Sequence, residues 1–292
     1  MTVFSPFAAA FEGLAVMRRE PKAVIGWIGI WLLALIVIGA LKAATGAPVS
    51  LARGAHGGIG LTPGFGPLAV LLIPTLLVLW IMTTATVFRA VIRPREHGWH
   101  LFKLGTEEAR LAMITAIGFG LVVIFGSGPA LILLVLIKPV LAVVPALGRW
   151  IVIAGTIATV GLEFLIAVRL SLIAVHTFAE GRFHVMGYWR LTRGYFWRLL
   201  ATYLIVFLEV VAFVVVLGVV ALLFGWAAMS LGSPHGVDLG RRTLLLGLAT
   251  VAALFSAIVF IIPLIIISAA QAYAFAAIAA DTSRRKTVPK GT

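Results

Sequence analysis

Six stretches of this chain carry almost no charge, at residues 23–42, 67–88, 111–136, 150–172, 199–224 and 243–268. Each is as long as a helix that crosses a hydrocarbon layer, which takes about 20 residues. In that layer every backbone N–H and C=O must be satisfied within the protein, so each run is expected to be a helix. Hydrophobic residues are 62% of the 292, far above the roughly 45–50% of soluble domains. The spans leave no room for a soluble domain of ordinary size. The expected fold is all-α: a polytopic membrane protein of about six transmembrane helices, with amphipathic helices at the membrane interface.

The third run is the ambiguous one. From Leu111 to Leu147 the chain is apolar apart from Gly126-Ser127-Gly128-Pro129 and Lys138-Pro139. One long span with a glycine-proline kink is preferred over two, because two would bury Lys138 at a cost of about 3 kcal/mol.

Charge supplies the sidedness. The net charge of +13 could suggest nucleic acid, but the cations lie in short links between spans. Of the 23 Lys/Arg, 17 fall in the N-terminal segment, the 89–110 link, the 169–198 link and the C-terminal tail. The positive-inside rule then puts both termini in the cytoplasm, and an even number of spans agrees. The basic links are thus read as the cytoplasmic side of the membrane. The stretch "RAVIRPREHGWHLFKLGTEEARL", residues 89 to 111, is its first cytoplasmic link, and its charge sets topology.

The N-terminus places its apolar residues before its charges, the reverse of a secretory signal, so no cleaved peptide is expected. Ser5-Pro6 reads as an N-cap followed by proline at the first helical position. Phe4, Phe7, Phe11 and Leu14 then form the apolar stripe of a helix lying in the interface. Similar segments precede later spans, "GWHLFKLGTEEARL" and "FHVMGYWRLTRGYFWRLL", with Arg110-Leu111 matching Arg198-Leu199. The chain thus reads as one membrane domain of three helical-hairpin units, 1–94, 95–180 and 181–280, with a basic tail at 281–292. The outside loops at 43–66 and 225–240 are rich in Gly, Ala and Pro, and no regular structure is expected in them.

Aromatics and cations are interleaved in the two cytoplasmic links, 89–110 and 169–198. Trp99, Tyr188, Trp189 and Trp197 suit the headgroup level. Arg182, Arg190, Arg193 and Arg198 would meet anionic lipid at about 1 kcal/mol each. The plainer reading is that these residues only set orientation and depth. Arg169-Leu170-Ser171 closes a span, and Trp189, Leu191, Thr192, Gly194, Phe196 and Trp197 follow. This thirty-residue passage resembles the link before the fifth span of a group of bacterial six-span inner-membrane proteins. The group includes the membrane domain joined to some glycerophosphodiester phosphodiesterases. The resemblance implies a six-helix inner-membrane module with a lipid connection. No stretch of these 292 residues reads as a phosphodiesterase domain, so none of that catalysis is expected to carry over.

Ionisable groups within spans are costly and therefore candidates for function. Glu209 lies near the middle of the fifth run, and Glu163 sits in the fourth, six residues before Arg169 and on a different face. Arg89 and Arg169 occupy similar places near the ends of the second and fourth runs, and Gln271 lies just beyond the sixth. One reading is a buried Glu–Arg network or a protonatable site, with Glu209 meeting an arginine or polar group from another span. The other is helix packing by the glutamates while the arginines snorkel. Pro74, Pro129 and Pro263 bend their spans, which marks either a transport site or plain packing.

Catalytic and metal motifs are missing. His97 and His100 stand beside Glu96, but Gly98 weakens a helix between them and there is no HExxH. Cysteine is absent. Ser127 in "GSGPA" has no base nearby. The chain is therefore expected to be no enzyme, to hold no metal or cofactor, and to bind no nucleic acid. Its expected partners are membrane lipids, chiefly anionic headgroups on the cytoplasmic side, and a further membrane protein. The reading is a lipid-binding or accessory subunit, the alternative a small transporter or lipid translocator built around Glu209 and Glu163.

Overall fold

A computed structural model describes residues 4–44, 51–53, 59–61, 66–94, 105–122, 124, 145–181, 192, 194–230 and 239–287. It is a helical bundle. Two short helices, α1 (Pro6–Ala10) and α2 (Glu12–Arg19), lead into α3 (Pro21–Ala44) and α4 (Gly66–Ile92). There follow α5 (Thr106–Val122), α6 (Pro145–Leu170), the short α7 (Ile173–Glu180), α8 (Phe196–Ser230) and α9 (Leu239–Thr287). Among the described residues, five helices are long and apolar enough to cross a membrane. They fall in α3, α4, α6 with α7, α8 and α9. The third expected span begins as α5, and its remainder, like Pro129 and Lys138, lies outside the described residues.

The loop expected to lack regular structure contains one small exception. β1 (Leu51–Arg53) and β2 (Ile59–Leu61) pair antiparallel, with Leu51 opposite Leu61 and Arg53 opposite Ile59.

The long helices alternate in direction, and their ends near residues 20, 92, 106, 170, 196 and 281 meet at one end of the bundle. This end, the base, carries most of the buried core. α9 is its hub, contributing to every buried cluster. Ala272, Ala274, Phe275 and Ile278 join Phe88 of α4, Leu111 of α5, Phe178 of α7 and Leu199 of α8. Ala257, Ile261, Leu264, Ile265 and Ala269 pack on Trp27 and Trp31 of α3. Ile266 and Ala270 meet Ala10 of α1 and Val206 of α8. The sixth run was expected to end near residue 268, yet the helix continues to Thr287. The alanine-rich stretch after Ser268 explains both facts, since alanine favours the helix and lets neighbours approach closely.

α1 starts as the sequence implies. Ser5 is extended, its Oγ accepts from the Ala8 N–H at 3.4 Å, and Pro6 takes the first helical position. The phenylalanine stripe is different from expectation. Phe4 is buried while Phe7 and Phe11 are exposed, and the helix breaks at Phe11 into α2. The inward face is made of Ala9, Ala10, Gly13 and Val16. Small residues win that face because the backbones touch there: a Cβ on Gly13 would lie 2.6 Å from the Ile266 Cα. Away from the base the helices make less contact. Ile153 and Ile157 on α6 and Val215 and Leu222 on α8 are exposed, as lipid-facing residues are.

Candidate functional site at the base of the bundle

Three contacts tie helices together at the base. Arg89, in the last turn of α4, is ion-paired with Glu108 in the first turn of α5 and lies 3.3 Å from Glu107. Arg93 reaches Glu107 at 3.1 Å. Both guanidinium groups stand over the Phe178 ring, at 5.5 and 5.8 Å from its centroid. Glu108 also closes its own helix: its Oε2 accepts from the Gly105 N–H at 3.0 Å, the back-reaching half of a capping box. A carboxylate is thus bound by a guanidinium and a backbone donor. That combination makes its burial, at 5% side-chain exposure, tolerable.

The second contact is between α6 and α8. The Arg169 guanidinium sits 5.2 Å from the centroid of Phe196. Just beyond it, the Tyr203 hydroxyl donates to Ser171 Oγ at 2.5 Å, and Ser171 donates to the Val168 carbonyl at 2.8 Å. Arg89 meets the residue two before Arg110, and Arg169 the residue two before Arg198. In the register of Arg-Leu pairs the two contacts are equivalent, and Leu111 and Leu199 are buried in one cluster.

The third links α8 to the end of α9. The Tyr195 hydroxyl donates to Asp281, and its ring meets Phe4 edge-on at 6.5 Å. Between these contacts α7 fills the floor. His176 lies 3.3 Å from Glu180, and its ring meets Phe275 edge-on. Gly181 ends α7 at φ 66°, and a Cβ there would lie 2.9 Å from Arg110 Nη1.

The surface of the base is aromatic and basic. Trp197 is 77% exposed with Arg198 exposed beside it, while Leu199 next to them is buried. Phe7 on α1, Phe11 at the break after it, and Arg18, Arg19 and Lys22 around α2 are exposed as well. α1 packs directly on α8. Trp99, Arg182, Tyr188, Trp189, Arg190 and Arg193 lie outside the described residues, as do His97, His100 and Ser127.

The intramembrane candidates separate. Arg89 and Arg169 belong to the base, and neither is paired there with Glu163 or Glu209. Glu163 and Gln271 are half-buried, with no polar contact among the described residues. Both carboxyl oxygens of Glu209 are shielded and have no hydrogen-bond partner among the described residues. On α8, Phe196 and Tyr203 mark the flank turned to α6, while Ile205 and Val206 mark the flank on α1 and α9. Helical periodicity puts Glu209 on the second flank, away from Glu163. Among the described residues no group of three or more His, Cys, Asp or Glu could hold a metal ion.

Glu107 and Glu108 carry the tightest polar cluster of the base, yet neither was among the residues singled out in the sequence. The available signal was Gly105 followed three residues later by Glu108, a capping pattern at the head of an apolar run. The fold and base define an all-α polytopic bundle whose helices are apolar enough to span a membrane. Compared with family models, curated proteins and solved structures, the chain finds no significant match.

Proposed function

We propose that this chain is a non-catalytic integral protein of the bacterial inner membrane that holds anionic phospholipid around its cytoplasmic base. The distribution of Lys and Arg in the links supports placing the base, with both termini, in the cytoplasm. The observation that carries the lipid reading is the Trp197-Arg198 pair. A helix entering a membrane turns an indole and a guanidinium outward together at the level where headgroups lie. Exposed Phe7, Phe11, Arg18 and Lys22 extend the same chemistry across α1 and α2. The likeness of the 168–200 passage to six-span modules accompanying lipid-diester enzymes points the same way. A transport site shared by Glu163 and Glu209 is less favoured, because the two carboxyls lie on flanks that do not face each other.

Native mass spectrometry of the protein extracted gently from its own membrane tests this. Retained phosphatidylglycerol or cardiolipin is the expected result. A second protein at fixed stoichiometry, without lipid, would make the chain an accessory or scaffold subunit instead.

A further inference from the structure

A polar group that the base leaves unused is Glu209, half-buried with both carboxyl oxygens shielded. It lies on the flank of α8 that packs against α9, and α9 carries Pro263 in its interior. Proline has no N–H, so the carbonyl four residues earlier, that of Val259, loses its helical partner. Membrane helices tolerate such a proline where a side chain from a neighbouring helix satisfies the freed carbonyl. The two helices run antiparallel with a readable register: Val206 packs with Ile266 and Ala270, and Val210 belongs to the same cluster as Ile262. Glu209 therefore stands level with the Pro263 turn, and Val259 is one turn further from the base. A neutral carboxyl has one O–H to donate, and the freed carbonyl is an acceptor without a donor.

We propose that Glu209, as the neutral acid, closes onto the Val259 carbonyl and so sets the angle at which the far half of α9 leaves Pro263. Glu209 is then a positioning residue for the helix on which every buried cluster of the bundle depends. The bond is open in the structure, so closing it takes a rotation of the side chain or a swing of α9 about the proline. Such a joint lets the far half of α9 adopt two angles while the base stays fixed.

The test uses the absence of cysteine. Spin labels attached through Val219→Cys and Leu254→Cys occupy exposed positions on the far halves of α8 and α9. Their separation is measured by double electron–electron resonance in lipid nanodiscs. Glu209→Gln keeps a donor and should match the parent chain. Glu209→Leu removes it and should move or broaden the distance by about 2 Å or more, the displacement at residue 254 for a ten-degree change of kink over roughly 14 Å of helix. With Pro263→Ala, which restores the backbone bond, the Gln and Leu variants should give the same distance. Equal distances for Gln and Leu in the presence of Pro263 would overturn the proposal. So would a Leu-induced shift that persists with Pro263→Ala.

Discussion

Arg89, three residues before the end of α4, forms an ion pair with Glu108, the third residue of α5, and its guanidinium stands over the ring of Phe178. The segment between them holds most of the charge of the first link. Charge that would set topology in any membrane protein is therefore also used here to fasten one helix to the next.

Removing Glu108 leaves the largely buried Arg89 with only its 3.3 Å contact to Glu107. Glu108→Ala is expected to destabilise the protein by about 3 kcal/mol, the lower end of the range for breaking a buried pair. Glu107 is more exposed, and Glu107→Ala should cost only about 0.5–1 kcal/mol. Denaturant unfolding in micelles, followed by tryptophan fluorescence, measures both. Equal small losses would show that the pair does not hold α4 to α5.

Gly13 is where α2 touches the α9 backbone, so Gly13→Ala should force the two apart and cost about 1–3 kcal/mol. Gly39 in α3 faces open space, and Gly39→Ala should be neutral or stabilising by up to about 1 kcal/mol. Thermal unfolding of the two variants side by side distinguishes a steric effect at Gly13 from a general response to alanine. A Gly13 variant as stable as the Gly39 variant would mean that α2 does not rest on α9.

Tyr203 and Ser171 join α8 to the turn after α6. Tyr203→Phe should cost about 1 kcal/mol, and Ser171→Ala a similar amount because it leaves the buried hydroxyl without its partner. The double variant should cost clearly less than the two single losses combined. Strict additivity in the same unfolding assay would show that the hydroxyls act independently.

The spans were legible because length and the absence of charge leave a membrane helix little alternative, as the match of run 67–88 to Gly66–Ile92 illustrates. The Ser5-Pro6 start was legible for an equally local reason, the capping chemistry of one turn. The burial of Phe4 and exposure of Phe7 were not, because they depend on how closely Gly13 lets α2 approach α9. Arg89 and Arg169 were recognised as equivalent positions, but their partners were sought within the membrane. Their contacts lie instead at the heads of the following helices, a pairing fixed by the direction of the chain at the base rather than by spacing along one helix. Glu209 was recognised as a buried acid, and its flank became readable only once Val206 and Tyr203 had neighbours.

The proposed function rests on anionic lipid held at the base, and lipid retention by paired variants tests it most directly. The parent chain and a Trp197→Ala, Arg198→Ala variant would be placed in nanodiscs of mixed phosphatidylcholine and phosphatidylglycerol, then released for native mass spectrometry. Both residues are exposed, so the variant should unfold at the same temperature as the parent. The parent should carry phosphatidylglycerol in preference to phosphatidylcholine, and the variant should lose that preference. A parent with no preference, or a variant that keeps it unchanged, would contradict the assignment of the base as a lipid-binding surface.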